Sequence, residues 1–343
     1  MRFVITSTAL LLAACSSAAS ALLQPELVRR DIETNCTSIK QRVPWTFLTA
    51  EEKAAYIQAD LCLIKAPSTS GIPGAKTRWD DLQWPHITQT VTVHNVGAFL
   101  PFHRIYMTAH ETLIRNECGY TGRMPYWDEL AEVSNMAGSE LFEDQYFGGN
   151  GVGSSRCIAD GQFANLTLRF LANNRVSDHC VTRRFSQQAF QAAAQANINR
   201  CNAIKTYANA WTCWSLTPHS AGHAGVGGVM NDPTFSPGDP IFYLHHSYLD
   251  KLWWEWQKLD YPARLHDMAG PNIPTGTRPG SPNYPPASLT DYFGDNGNVT
   301  TLNHNLWMTS VIPNVTIADI MNLNGPTVCS EYLNAADLER GTV

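Results

Sequence analysis

The sequence predicts a mainly helical fold, and three stretches carry that expectation. Asp239-Pro240 reads as a helix start, with the carboxylate at the N-cap and proline at the first helical position, and helix-compatible residues then run to about Leu259. Pro101 opens a second helix that runs towards Asn116. Pro218-His-Ser-Ala-Gly-His223 supplies one helical turn with two histidines four apart. No internal repeat or low-complexity linker divides the 343 residues, so one domain is expected.

In chain order, the first 21 residues give one positive charge, an apolar run and then small residues up to Ala21. That is the pattern of a secretory signal peptide, too short to span a bilayer. Leu12-Ala-Ala-Cys15 also fits a lipoprotein cleavage box, the competing reading of the same stretch. Arg29-Arg30 resembles a maturation site, which makes 22–30 a propeptide and 31–343 the mature domain. Sequons at Asn35, Asn165, Asn298 and Asn314 point to a glycosylated, extracellular protein. Eight cysteines outside the leader allow up to four disulfides, among 105 pairings that spacing cannot distinguish. None of them forms a CxxC, which argues against a zinc ribbon.

The net charge is −6, from 24 basic and 30 acidic residues. Removing residues 1–30 takes away Arg2, Arg29, Arg30 and Glu26, leaving 21 against 29, or −8. No basic patch suits nucleic acid, and no apolar run beyond the leader suits a membrane. Six prolines between Pro271 and Pro286 mark a long surface loop.

The chemistry lies in six histidines in two groups: His86, His94 and His103, then His219, His223 and His246. Each group offers three neutral nitrogens to a borderline or soft transition metal, so a pair of metals is expected. His246 shares a helix face with Phe242 and Asp250, while His245 is turned about 100° away. Nine residues separate His94 from His103, too far out of phase for one straight helix, and Gly97 and Pro101 supply the break. His86, after Trp84-Pro85, is then expected on a separate turn. His110, with Glu111 beside it, falls two turns beyond His103, too far to share its ion, and His179, His266 and His304 read as surface residues. Trp253, Trp254 and Trp256 read as helix-packing core.

The run Asp239-Pro-Ile-Phe-Tyr-Leu-His-His-Ser-Tyr-Leu-Asp-Lys-Leu-Trp-Trp-Glu-Trp-Gln257 closely resembles the second copper motif of the type-3 copper family, which contains tyrosinases, catechol (polyphenol) oxidases and hemocyanins. Leu-Pro-Phe-His103-Arg is similar to the end of the first copper motif, and Met-Pro-Tyr-Trp-Asp128 to its downstream companion. The resemblance implies a four-helix bundle holding two copper ions. His86, His94 and His103 would take one copper, and His219, His223 and His246 the other. It makes Phe242 the aromatic beside the pair and leaves His245 in a supporting role. Asp250 would orient a ligand imidazole or serve a helix N–H network. Met230, Thr234 and Phe235 are expected to line the entrance above the second copper.

The implied function is a secreted phenol oxidase that uses O2 to convert catechols to o-quinones, its partners being O2 and a small phenol. An oxygen carrier and an o-aminophenol oxidase are the competing readings, and a copper-free relative is disfavoured by the intact histidines. Three departures from the family pattern favour diphenol oxidation over monophenol hydroxylation. Thr92 stands where many members carry a thioether-forming cysteine. Ser220 replaces the asparagine after the first histidine of the second site, and no acidic residue accompanies it in 210–218. The sequence after the second motif is also short for the covering C-terminal domain of many relatives, so an open site is expected.

Overall fold

Two capping boxes launch the first long helices. In the computed structural model, which describes residues 36–277 and 293–340, Thr49 caps α1 (Ala50–Lys65) and Thr77 caps α2 (Arg78–Thr88). Each threonine exchanges hydrogen bonds with an acidic residue three positions on, Glu52 and Asp80. The leader, the dibasic pair, Asn35 and most of the proline-rich stretch lie outside the described residues. Asn165, Asn298 and Asn314 are exposed.

A short α3 (Thr90–Val93) follows, then α4 (Phe99–Cys118), which stops where Gly119 takes the left-handed conformation (φ 68°). Pro101 sits inside the first turn of α4, where its missing N–H costs nothing, and the helix starts two residues before it. Short helices α5 (Gln187–Phe190), α6 (Gln195–Asn202) and α7 (Tyr207–Trp214) lead to a π-helical turn (Ser215–His219), which runs into α8 (Ser220–Val226). The last long helix, α9 (Ile241–Lys258), begins just after Asp239-Pro240. Asp239 accepts the Ile241 N–H, as a cap should, and its carboxylate also takes a two-pronged bond from buried Arg183 at 2.8 Å on each oxygen.

Helices α4 and α9 pack against each other at the centre, with α1 and α2 against α4 and its neighbours. Trp253, Trp254 and Trp256 are 0%, 5% and 0% exposed, which places all three in the core rather than on a binding surface. A small parallel sheet joins β1 (Lys40–Pro44) to β2 (Met124–Tyr126) on one side and to Ser330–Tyr332 on the other, with Arg42 opposite both Met124 and Tyr332.

Four disulfides form: Cys36–Cys329, Cys62–Cys118, Cys157–Cys180 and Cys201–Cys213. The first ties the start of β1 to the strand near the C-terminus, and the second clips α1 to the end of α4. Among the described residues no helix is long and apolar enough to cross a membrane.

Three histidines depart from their expected settings. His86 lies in the last turn of α2, with Pro85 inside that helix, and not on a separate turn. The capped start and the burial of Leu82, Pro85 and Ile87 outweigh the one hydrogen bond the proline removes. His304 is buried, stacked on Phe293 with Nδ1 donating to Asp295 at 2.6 Å, so its polar sequence context concealed a buried pair. His179 is half-buried, its ring edge against Phe235.

Candidate metal centre

The two histidine groups converge into two compact clusters. Ring centroids in the first are 4.8 Å (His86–His94), 5.5 Å (His86–His103) and 5.3 Å (His94–His103) apart. In the second they are 4.4 Å (His219–His223), 5.2 Å (His219–His246) and 5.2 Å (His223–His246) apart. The clusters adjoin, because His103 of α4 stacks on His246 of α9 at 4.2 Å with the rings 10° from parallel.

Local backbone explains how such different sequence spacings meet. His94 leaves α3 in an extended conformation (φ −122°, ψ 147°), and Asn95 then turns left-handed (φ 57°), which breaks the phase between His94 and His103. Gly97 completes the turn: a Cβ there would lie 2.2 Å from the Ala269 carbonyl oxygen, and its N–H bonds Pro271 O at 2.8 Å. On the other side, His219 ends the π-helical turn and His223 lies one turn later on α8.

The protonation state of these rings is fixed by their neighbours. Nδ1 of His86 donates to Thr234 O (2.9 Å), His94 to Thr90 O (3.0 Å), His103 to Phe99 O (2.7 Å) and His219 to Ser215 O (3.1 Å). His223 does the same to Met230 O. A carbonyl can only accept, so five of the six imidazoles carry their proton on Nδ1 and turn the Nε2 lone pair elsewhere. Nε2 of His86, His103 and His219 is buried with no hydrogen-bond partner. Burial also pushes all six histidines below their usual range, His94 to about 4, so the rings are neutral at pH 7. Orphaned, neutral, converging nitrogens are what a bound metal would satisfy, and an all-imidazole set suits copper.

Two phenylalanines pack around the centre. Phe242 lies 4.2 Å from His246 and 5.3 Å from His86, as expected of the aromatic beside the pair. Phe99, which the sequence reading did not single out, lies 4.9 Å from His103 and 4.7 Å from His219 and so touches both clusters.

Beneath the second cluster, Nδ1 of His245 is hydrogen-bonded to Glu129, while the ring packs against His219 (5.7 Å) and His223 (4.6 Å). Burial pushes Glu129 well above the usual carboxyl range and His245 down to about 3, both in the direction of the neutral form. Glu129 directly follows the Met-Pro-Tyr-Trp-Asp128 run, and that adjacency was the available signal for it. One ring nitrogen of His245 lies near enough to the second cluster to count geometrically among its possible ligands.

Asp250 does not orient an imidazole. Its carboxylate accepts from Arg104 Nε (2.6 Å), Arg42 Nη1 (3.2 Å) and the Tyr332 hydroxyl (2.8 Å), a buried network linking α4, α9 and the sheet. His110 is likewise occupied away from the metals, bonded to buried Asp60 at 2.7 Å.

One side of the centre is open. A cavity of about 190 Å³ is lined by His94, His219 and His223 together with Ser220, Met230 and Asp232. His86, His103 and His246 lie at 0–1% exposure and do not line it. Met230 lines the cavity and also serves His223 through its carbonyl. Thr234 acts through its carbonyl on His86. Ser220 is exposed, and its hydroxyl donates back to Ser215 O at 3.1 Å.

Comparison with known proteins places this site in context. The family model described as the common central domain of tyrosinase matches residues 76–259. The Aspergillus flavus protein named tyrosinase ustQ is 33% identical over 256 residues, covering 71% of this chain and 70% of that protein. A variant polyphenol oxidase from Thermothelomyces thermophila superposes with a TM-score of 0.71 at 25% identity, over 86% of this chain and 89% of that one. A functional unit of octopus hemocyanin shares the fold, with a TM-score of 0.54 at 17% identity over 88% and 72% of the two chains.

Proposed function

The chain belongs to the tyrosinase family of copper-dependent oxidoreductases, and on that premise we propose that it oxidises o-diphenols to o-quinones with O2. His86, His94 and His103 would hold one copper and His219, His223 and His246 the other. The observation that supports the assignment is the set of five Nδ1-to-carbonyl hydrogen bonds, which leaves the opposite nitrogens as the ones a metal would take. When bound, the copper pair supplies the two-electron couple between catechol and O2.

The protein's own part is positioning. Carbonyls from α3, α4, the π-helical turn and the 230–234 loop hold five of the imidazoles in one tautomer, so the donor set would need little rearrangement to hold a metal. Phe242 and Phe99 close the flanks and exclude water, while the cavity admits one small ring on the side of His94, His219 and His223. Among the described hydrogen bonds no carboxylate touches the half-buried histidines of the cavity, so no protein base stands ready there for the phenolic proton. Ser220, whose hydroxyl is already spent on Ser215, favours diphenol over monophenol chemistry. Four disulfides and exposed sequons at Asn165, Asn298 and Asn314 support an extracellular location, with residues 1–21 as the signal peptide and 22–30 as a propeptide.

The test is oxygen consumption by the copper-loaded protein with a catechol and its matching monophenol side by side. Rapid uptake with catechol alone is the expected result. Uptake with both would restore monophenol hydroxylation, and reversible O2 binding without consumption would replace the oxidase with a carrier.

A further inference from the structure

The cavity over the histidines carries a charge that the reaction itself does not use. Among the described residues lining it, Asp232 carries the one carboxylate, and apart from His94, His219 and His223 the rest are uncharged side chains. Asp232 Oδ1 accepts the N–H groups of Thr234 (2.8 Å) and Phe235 (3.2 Å), closing an Asx turn that fixes the carboxylate in the cavity wall. Its other oxygen enters none of the described hydrogen bonds or ion pairs, and no lysine or arginine lines the cavity beside it. The residue is half-buried, so its field acts through partly excluded water and is stronger there than at a flat surface.

We propose that Asp232 selects substrates by the charge of their side chain, favouring catechols that bear an ammonium group over those that bear a carboxylate. The inference rests on the oxidase reading above. A catechol must turn its hydroxyls towards the histidine cluster at the cavity floor, which leaves a ring substituent facing the walls and mouth. The cavity, at about 190 Å³, is below the 300–1,000 Å³ usual for drug-sized ligands. A substituent on a ring confined there cannot stand far from Asp232. An ammonium meets an uncompensated carboxylate, whereas a carboxylate meets like charge. The net charge of the whole chain, −6, has the same sign.

The experiment measures kcat/KM from O2 uptake by the full-length, copper-loaded enzyme. The substrates are a catechol carrying an aminoethyl group and one carrying a carboxyethyl group, each expressed relative to ethyl catechol. At low salt the aminoethyl substrate should be preferred over the carboxyethyl one by about tenfold. In Asp232→Asn, which keeps an Oδ1 acceptor for the two N–H groups, the preference should fall to about twofold or less. Raising the ionic strength should shrink it in the unaltered enzyme too, which keeps the test readable if the variant folds poorly. A ratio near one in the unaltered enzyme, or a large ratio unmoved by either Asp232→Asn or salt, would overturn the selectivity and leave the oxidase reading intact. Absence of O2 uptake with all three catechols would instead overturn the oxidase reading, and the selectivity with it.

Discussion

Gly222 shows how tightly single residues constrain the second cluster. It sits between His219 and His223, and a Cβ there would lie 2.2 Å from His245 Nδ1 and 2.6 Å from Glu129 Oε1. Neither neighbour is the free end of a flexible chain, because both are fully buried and bonded to each other. Gly222→Ala should therefore cost about 1–3 kcal/mol of stability. It should also release copper from the second cluster while the first retains its own, measured as copper content per chain alongside the thermal midpoint. Full retention of both coppers would mean that the Glu129–His245 pair does not set the position of α8. At this scale the sequence was most legible where chemistry is carried by side-chain identity. The six histidines gather in two groups, with His245 drawn into the second, and Phe242 lies beside His246. It was least legible where a backbone atom does the work, because nothing in the letters Met230 or Thr234 announces a carbonyl aimed at an imidazole. Glu129 was not legible because its partner lies 116 residues away in the chain.

At the scale of elements, α4 and α9 are fastened at Asp250. Arg104 from α4, Arg42 from β1 and Tyr332 all bond its carboxylate, and Arg104 also stacks over Trp253 at 3.9 Å. Removing the carboxylate leaves the Arg104 guanidinium buried without the carboxylate it is paired with and Arg42 with Glu111 in place of two carboxylates. Asp250→Ala should thus lose about 3–5 kcal/mol, read as a lower urea midpoint. Because α4 carries His103 and α9 carries His246, copper affinity should weaken at both clusters together, unlike the one-sided loss expected for Gly222→Ala. The helices themselves were legible from capping residues and prolines. α9 lies within the expected span, and α4 differs from it by about one turn or less at each end. The π-helical turn before His219 was not, since an i→i+5 turn leaves no periodic mark in five residues. The role of Asp250 was misread for a related reason: its place on the His246 face was visible, but not the arginines that reach it from distant segments.

For the whole molecule, the metal centre has a cost that appears when copper is removed. Six ligand histidines and His245 are buried and pushed below their ordinary value near 6.5. As pH falls from about 6.5 towards 4, where His94 titrates, the unfolded chain takes up protons that the folded chain cannot. Each such group therefore withdraws stability on acidification, and the loss is complete below its folded value. Buried carboxyls held above their usual range act in the opposite sense, because the folded form binds their protons first; these are Asp60, Asp128, Glu129 and Glu132. Setting Glu129 against its partner His245 leaves six histidines against three carboxyls, so acidification is net destabilising. The copper-free protein should show a urea midpoint that falls steadily between pH 7 and pH 5. With copper bound, the same nitrogens are occupied and the midpoint should be higher at pH 7 by mass action, with copper release steepening the decline towards acid. A flat profile for the copper-free form would show that the histidines titrate as solvent-exposed groups. The preformed, neutral donor set from which the copper assignment was argued would then not exist in solution.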